Sequence, residues 1–159
     1  VFYRKELIMS AVYNPLSDEL FFAEKGKGAS LNGMPIHVNE VDSFDFGYGA
    51  VVRGTHDMKN PLAYQKEFAR VSARVAEDTT VWMHNFGTML LSVYVATGAV
   101  DFYVANAGFD HDFAPVALIC REAGAFVTGI DGTDWVRGRR DFIVANPKLH
   151  PKILELFKD

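Results

Sequence analysis

The sequence contains very little cysteine and no long apolar run. Cys120 is the single cysteine among 159 residues, so no disulfide can form within the chain. No apolar segment approaches the roughly 20 residues that span a bilayer, and residues 1–6 lack the charged-then-apolar order of a signal peptide. We therefore expect a protein of a reducing compartment, most simply the cytoplasm, with no membrane segment.

The chain also lacks a strong positive charge and the common metal and nucleotide motifs. Its net charge is −4 at pH 7, which argues against a broad basic surface and against nucleic acid as a partner. It has neither a His-x-x-x-His nor a Cys-x-x-Cys pair, so a zinc site is not indicated. The segment 24–33 is rich in glycine and lysine but lacks the order of a P-loop. It is predicted as a solvated hairpin turn.

The residues that are present indicate a packed α/β domain. The chain is 49% hydrophobic and 13% aromatic, enough for one domain with a sizeable core. Apolar runs bounded by turn residues predict strands, and apolar residues at i, i+3 and i+4 predict helices. The predicted strands are Leu7–Tyr13, Leu20–Ala23, Phe46–Val52, Thr79–Met83, Val100–Val104, Phe126–Thr128 and Phe142–Ala145. The predicted helices are one with an apolar face of Tyr64, Phe68, Val71 and Val75, then Asn85–Val95, a third starting near Asp112, and Lys148–Phe157.

The most informative stretch is the acidic cluster Asp110-His111-Asp112, directly ahead of the third helix. Proline is tolerated only in the first turn of a helix. Pro115 therefore places Asp112 at or beside the N-cap. The apolar face of this helix follows the spacing i, i+3, i+4 and i+7, with Phe113, Val116, Ala117 and Cys120. We expect Cys120 to be a buried structural residue rather than a nucleophile.

Three interpretations of the acidic cluster remain open at this point. Asp112 can simply cap the helix, although Pro115 would then occupy N3 and has no N–H to donate. Asp112 can instead bind a hard cation beside the helix N-terminus. In the third interpretation, Asp110, His111 and Asp112 together form the metal site of an unrelated hydrolase.

Two polar segments near the C-terminus have simpler predictions. Gly129–Asp134 is predicted as a turn, since it follows a short strand and is rich in turn residues. Arg137-Gly138-Arg139-Arg140 is a basic cluster that could bind an anion. A solvated loop is the simpler prediction for it.

Four segments, in order along the chain, carry a family resemblance. They are Ala11-Val12-Tyr13-Asn14-Pro15, Leu31-Asn32-Gly33, Tyr94-Val95-Ala96-Thr97-Gly98, and Asp112-Phe113-Ala114 followed by Glu122-Ala123-Gly124. They resemble the inositol monophosphatase family of Mg-dependent phosphatases. The C-terminal signature of that family reads Trp-Asp-x-Ala-Ala-Gly, then an apolar run, then Glu-Ala-Gly-Gly. His111 replaces the usual tryptophan, and Ala125 replaces the last glycine.

The resemblance implies a layered α/β sandwich with mixed β-sheets and flanking helices. It implies that Asp112 is a ligand of Mg²⁺ and that Gly87 and Thr88, at a helix start, face the substrate. The glutamate with which inositol-specific members contact the substrate hydroxyls corresponds to Ala105. The resemblance therefore implies hydrolysis of a small phosphorylated metabolite, either inositol-phosphate-like or a sugar phosphate, by metal-activated water, without implying specificity for inositol phosphate.

The resemblance covers residues 1–159 as a single C-terminal portion of the family fold. The family's Gly-Glu-Glu and Asp-Pro-Ile-Asp-Gly-Thr motifs, which supply most metal ligands and the residues that activate water, are absent from this sequence. No catalytic residue is identified in the chain, and we expect these residues alone to be inactive and to associate as a homo-oligomer. The alternative is a non-catalytic fragment of the same fold that acts only through association.

Overall fold

The computed structural model describes residues 1–54, 61–106 and 108–158, with side chains inside the first helix described from residue 65 onward. The predicted position of Tyr64 on that helix therefore lies outside the described side chains. The helices are α1 (Pro61–Asp78), α2 (Met89–Val95), α3 (Asp110–Glu122) and α4 (His150–Glu155). The strands are β1 (Phe2–Tyr3), β2 (Glu6–Leu7), β3 (Met9–Asn14), β4 (Glu19–Glu24), β5 (Ala29–Leu31), β6 (Met34–Ile36), β7 (Tyr48–Val52), β8 (Trp82–His84), β9 (Phe102–Asn106), β10 (Phe126–Thr128) and β11 (Asp141–Ala145).

The strands form two large sheets and one small hairpin. Strands β3, β4, β5 and β6 form an antiparallel four-stranded sheet in chain order. The five-stranded sheet has the order β10-β11-β9-β7-β8 and is mixed. Within it, β7 pairs in parallel with both β8 and β9, whereas β9, β11 and β10 pair antiparallel. Among the described strands, β1 and β2 pair only with each other.

The side chains of the central strands point alternately to the two faces of the five-stranded sheet, and a separate core lies on each face. On β9, Tyr103 and Ala105 belong to the core that also contains α2, α3 and the inner face of the four-stranded sheet. Phe102 and Val104 belong to the core that contains α1 and α4. Because successive side chains of a strand point to opposite faces, the order of layers is sheet, helices, sheet, helices. This confirms the predicted layered α/β sandwich.

The secondary structure confirms most predicted elements and corrects several boundaries. The strand predicted at Leu7–Tyr13 is split at Ile8, since β2 pairs with β1 whereas β3 pairs with β4. Helix α2 begins four residues later than predicted, after Thr88. Helix α4 begins at His150 and not at Lys148, because the Asn146 side chain accepts hydrogen bonds from the N–H groups of Lys148 and Leu149 and holds an open turn there. The turn predicted at Gly129–Asp134 is confirmed, with the Gly129 N–H donating to the Thr133 carbonyl.

The prediction of a solvated loop at Arg137–Arg140 is wrong for Arg139. This guanidinium donates to both carboxylate oxygens of Asp131, to the Thr133 hydroxyl and to Asp141. The hydrogen bonds that Asp131 accepts from Arg139 and from the Thr133 hydroxyl lower the pKa of Asp131 to about 2. The basic cluster is therefore tied to the neighbouring turn by a bidentate ion pair, which local sequence could not show.

The backbone N–H groups of the glycine- and lysine-rich turn already bind a carboxylate of the same chain, so they are not available to bind a phosphate. Glu122, at the end of α3, accepts hydrogen bonds from the backbone N–H groups of Gly26 at 2.8 Å and Gly28 at 2.9 Å. These N–H groups are the ones that a phosphate would need, so the prediction of a structural turn is supported. No helix among the described residues is both long and apolar enough to cross a membrane.

Candidate active site

A cavity of about 460 Å³ opens where three parallel strands end. The carboxyl ends of β7 and β9 lie side by side, since Val52 pairs with Ala105, and the chain leaving β8 reaches the cavity at Gly87. Ligands of α/β sheets bind outside the carboxyl ends of their strands. The cavity is lined by Val52, Arg53, Gly54, Gly87, Met89, Tyr103, Ala105, Asn106, Gly108, Phe109, His111, Asp112 and Phe113.

Asp112 is in this cavity, but it lies three residues beyond the N-cap, whereas the sequence predicted it at or beside the N-cap. Helix α3 begins at Asp110 with Phe109 as its N-cap, so Asp112 occupies N3. Its Oδ2 accepts a hydrogen bond from the backbone N–H of Phe109 at 2.8 Å. The prediction failed because Pro115 is tolerated beyond the first turn of α3, where it removes a single backbone donor.

Asp110 faces away from this cavity and is fully engaged elsewhere. Its two carboxylate oxygens accept from the Gly138 N–H at 2.7 Å and from Arg137 Nε at 3.0 Å. These two partners lower the pKa of Asp110. In the described part of the chain, no group of three or more His, Cys, Asp or Glu side chains is arranged to hold a metal. The interpretation of Asp110, His111 and Asp112 as a self-contained metal site is therefore not supported.

Of the two predicted substrate residues, Gly87 lines the cavity, whereas Thr88 is not part of its lining. Thr88 is the N-cap of α2, and its hydroxyl oxygen accepts a hydrogen bond from the Leu90 N–H at 3.2 Å. Its own N–H donates to the Phe86 carbonyl. Thr88 thus fixes the backbone that presents Gly87, and direct contact of Thr88 with a ligand stays a prediction.

Ala105 occupies the cavity wall where the resemblance implied a carboxylate in inositol-specific members. It is 3% exposed and packs in the core shared with α3. Its methyl group offers no hydrogen bond to a ligand hydroxyl. The described wall at this position is therefore apolar.

Sequence reasoning did not select three polar lining residues, Arg53, Asn106 and Tyr103. Asn106 is 4% exposed, and its Oδ1 accepts from the Gly54 N–H at 2.6 Å. Its Nδ2 is buried and has no hydrogen-bond partner among the described residues. Burial and the charge of Asp112 raise the pKa of the Tyr103 hydroxyl. These residues come together because β7 and β9 pair in parallel, which places their carboxyl ends side by side. Neither strand's sequence alone predicts this pairing.

Gly108 fits the loop before α3 closely against the core. A Cβ at this position would lie 2.1 Å from the Phe113 ring, so any other residue would force the loop or the ring to move. Phe113 itself is stacked on Phe142, with ring centroids 4.7 Å apart. The segment from Phe109 to Asp112 is therefore positioned by the packing of Gly108 against the stacked rings of Phe113 and Phe142.

The described residues that line the cavity can supply one ligand to a hard cation, but they do not form a complete cation site. Asp112 Oδ1 makes no hydrogen bond among the described residues, with His111 Nε2 at 3.6 Å, and the Asp112 side chain is 35% exposed. A carboxylate oxygen suits Mg²⁺, but Mg²⁺ takes several oxygen ligands. The described residues contribute only this carboxylate to the cavity.

Comparison with known proteins agrees with this geometry. The inositol monophosphatase family matches residues 1–159. Inositol monophosphatase 3 of Solanum lycopersicum is 30% identical over 157 residues, which are 98% of this chain and 57% of that protein. Nus factor SuhB of Vibrio cholerae is 28% identical over 158 residues, which are 99% of this chain and 57% of that protein.

Solved structures show the same fold. The extragenic suppressor protein SuhB from Bartonella henselae superimposes with a TM-score of 0.82 at 26% identity, covering 96% of this chain and 59% of that one. The inositol monophosphatase of Thermotoga maritima superimposes with a TM-score of 0.81 at 27% identity, covering 96% of this chain and 56% of that one. The chain thus spans little more than half the length of the relatives it matches. The match of the whole chain nevertheless shows that it belongs to the inositol monophosphatase family.

Proposed function

We propose that this chain is the C-terminal portion of a metal-dependent phosphomonoesterase that hydrolyses a small phosphorylated metabolite. The observation that carries the proposal is the convergence of Asp112 and Gly87 in one cavity at the carboxyl ends of parallel strands. Family membership supports the reaction class. The remaining metal ligands and the residues that activate water would come from the part of the family fold that these 159 residues do not span.

Asp112 would hold one Mg²⁺ through the oxygen that Phe109 does not occupy. When bound, the cation would supply Lewis-acid stabilisation of the phosphoryl oxygens and activation of a water. The hydrogen bond from the Phe109 N–H to Oδ2 orients the carboxylate, and Oδ1 makes no hydrogen bond among the described residues, so Oδ1 would be the oxygen that binds the cation. Helix α3 adds a favourable dipole for negative charge at its N-terminus.

The other lining residues would bind and orient the ester. Arg53 is exposed at the edge of the cavity and brings a positive charge that suits a phosphate dianion. Gly87 has no side chain, and a Cβ there would meet nothing within 4 Å, so the backbone is open to a ligand. Ala105 would leave polyol hydroxyls without a partner, which favours a substrate other than inositol phosphate.

A non-catalytic role is the second candidate. Several relatives are named Nus factors and not phosphatases, and the described residues contribute one carboxylate to the cavity. In that case the fold would act through association with another molecule. Cytoplasmic location and a homo-oligomeric state belong to our proposal under either candidate.

The experiment that separates the two candidates is a phosphatase assay of the complete encoded protein with a panel of phosphomonoesters, with and without Mg²⁺. Magnesium-dependent turnover of at least one ester supports the enzymatic proposal. Absence of turnover across the panel, in a protein that is folded by circular dichroism, supports the non-catalytic candidate. The isolated 159 residues should be inactive under either candidate.

A further inference from the structure

The turn between β5 and β6 is the dipeptide Asn32-Gly33, which has no part in the chemistry described above. Leu31 pairs with Met34 across it, and both turn residues have positive φ, 49° at Asn32 and 80° at Gly33. A two-residue hairpin turn favours this backbone, and asparagine followed by glycine adopts it readily. In the same dipeptide the asparagine side chain is exposed to attack by the next backbone nitrogen, because glycine has no side chain to hinder the approach.

Asn32 is the only asparagine in the sequence that is followed by glycine. Three others precede proline, whose nitrogen carries no hydrogen and cannot attack. They are Asn14, Asn60 and Asn146. The remaining three, which precede residues with side chains, are Asn39, Asn85 and Asn106. Asn32 is therefore the asparagine most prone to lose its side-chain nitrogen as ammonia.

The structure holds the Asn32 side chain against the beginning of β4. Its Oδ1 accepts a hydrogen bond from the Leu20 backbone N–H at 2.7 Å, and its Nδ2 donates to the Asp18 carbonyl at 2.9 Å. The Asn32 backbone N–H donates to the Leu20 carbonyl at 2.9 Å. The last residue pair of β4 and β5 is Phe21 with Leu31. The Asn32 amide thus extends the pairing by one step, and we call its two side-chain hydrogen bonds the Asn32 latch.

The Asn32 latch opposes attack on the side chain. Ring closure brings the Asn32 Cγ to bonding distance of the Gly33 nitrogen. The amide group cannot make this movement while its oxygen is bound to Leu20 and its nitrogen to Asp18. The reaction is therefore confined to states in which the latch has opened, and its rate is proportional to their population.

We propose that Asn32 is a site of spontaneous deamidation, that the latch slows the reaction in the folded protein, and that the reaction releases the β5–β6 turn from β4. The Gly33 nitrogen gives up its proton and bonds to the Asn32 Cγ. The bond from Cγ to Nδ2 breaks, and this nitrogen takes up a proton and leaves as ammonia. Water, the only co-reactant, then opens the cyclic imide at either of its carbonyls and leaves aspartate or isoaspartate.

Either product breaks the latch. In aspartate, an oxygen replaces Nδ2 opposite the Asp18 carbonyl, so that two acceptors face each other where a hydrogen bond was. In isoaspartate, the main chain also passes through Cγ, which lengthens a turn of only two residues. Neither carboxylate can donate to the Asp18 carbonyl, so the turn stays released.

The first test follows the conversion of Asn32 by mass spectrometry in the complete protein. Incubation in water labelled with heavy oxygen separates this conversion from deamidation during digestion. The folded protein is compared with the same protein unfolded in urea. Conversion should be about tenfold or more slower in the folded protein, as expected for two hydrogen bonds, and should accelerate with urea below the unfolding transition. Asn85, which is exposed and precedes Phe86, is the internal control and should stay unconverted.

The second test uses Asn32→Asp as an imitation of one product. This variant should raise the equilibrium constant for unfolding about tenfold and speed hydrogen exchange at the Leu20 amide. Asn85→Asp is the matched control and should unfold as the wild type does. Equal conversion of Asn32 in folded and unfolded protein would overturn the role of the latch. Absence of conversion at Asn32 in the unfolded protein would overturn the site, and wild-type stability of Asn32→Asp would overturn the release of the turn.

Discussion

The backbone N–H of Phe109 donates a hydrogen bond to Oδ2 of Asp112, which joins the N-cap of α3 to its third helical residue. Phe109 has no side-chain oxygen that could accept from the N–H groups of the first turn, and Asp112 instead satisfies the N–H of the N-cap residue itself. The same carboxylate faces the candidate active site. Asp112 therefore combines a structural contact with a proposed metal contact, and substitutions can separate the two.

Replacing Asp112 by alanine should destabilise the fold by about 1 kcal/mol, the usual cost of a lost helix-terminus hydrogen bond. Asp112→Asn retains an oxygen that can accept from Phe109. It should cost less than about 0.5 kcal/mol, mostly the lost charge at the helix N-terminus. Urea unfolding of both variants measures the difference. Equal destabilisation by Ala and Asn would show that the hydrogen bond contributes nothing.

The carboxylate of Glu122 should contribute more to the free energy of unfolding than its position at a helix end suggests. It accepts from two backbone N–H groups, those of Gly26 and Gly28. Glu122→Gln turns one acceptor into a donor that faces an N–H, so we expect a loss of about 1–3 kcal/mol in unfolding free energy. Glu155→Gln is the matched control, since the one ion pair of Glu155 among the described residues is an exposed pair with Lys158. A loss in Glu122→Gln no larger than in this control would contradict the account.

Replacing Arg139 by lysine should destabilise the turn at Asp131, because a lysine cannot reproduce the paired N–H contacts of the guanidinium. The Arg139 side chain is 21% exposed and also contacts Asp141. We expect a loss of about 1–2 kcal/mol. Arg137→Lys, at an exposed single ion pair with Asp110, should lose less than about 0.5 kcal/mol. Thermal unfolding of the two variants in parallel gives the comparison, and equal shifts would refute it.

Stability should fall on acidification because of His150. This side chain is 3% exposed, and its Nε2 lies 2.8 Å from the Thr128 hydroxyl oxygen, which itself donates to the Gly129 carbonyl. Nε2 must therefore carry a hydrogen and donate to Thr128, in the neutral ring. Burial lowers the pKa of His150 from 6.5 to about 4.

When folding lowers the pKa of a base, protonation favours the unfolded state, so the protein has its full stability only above the pKa of the unfolded state. Stability of about 3 kcal/mol should be lost as the pH falls from 6.5 to 4. Free energies of unfolding measured across this range should show the slope in the wild type and a flatter profile in His150→Gln. The exposed His37 provides the control His37→Gln, which should retain the wild-type slope. Identical profiles for wild type and His150→Gln would contradict the assignment.

The sequence predicted the elements better than it predicted their ends. Strands such as β9 and β11 were found because an uninterrupted apolar run is typical of a strand buried on both faces. The start of α3 was missed because Pro115 suggested a later first turn. The helix in fact begins at Asp110, and the Asp112 carboxylate accepts a hydrogen bond from the N–H of the N-cap residue Phe109. Arg139 was assigned to solvent because its partner Asp131 lies across a turn whose geometry no local pattern specifies.

The candidate site was only partly visible in the sequence. Asp112 and Gly87 were selected through the family resemblance, and the structure places both at one cavity. Asn106, the last residue of β9, and Arg53, which follows β7, were missed because each simply stands at the end of an apolar run. Only the parallel register of β7 and β9 brings them to the same edge. Phe109 and His111 have no helical or strand spacing that would predict the stacking of their rings.

The central claim is that Asp112 is a metal ligand of a phosphomonoesterase, and one measurement tests it most directly. The complete protein is assayed for phosphomonoester hydrolysis across a range of Mg²⁺ concentrations as wild type, as Asp112→Asn and as Asp110→Asn. Asp110 is the matched control, since it lies two residues away and binds Arg137 and Gly138. We predict that Asp112→Asn lowers turnover about 100-fold and raises the Mg²⁺ concentration needed for half-maximal rate, whereas Asp110→Asn leaves both nearly unchanged. An unaltered Mg²⁺ dependence in Asp112→Asn, or an equal loss in both variants, would contradict the claim.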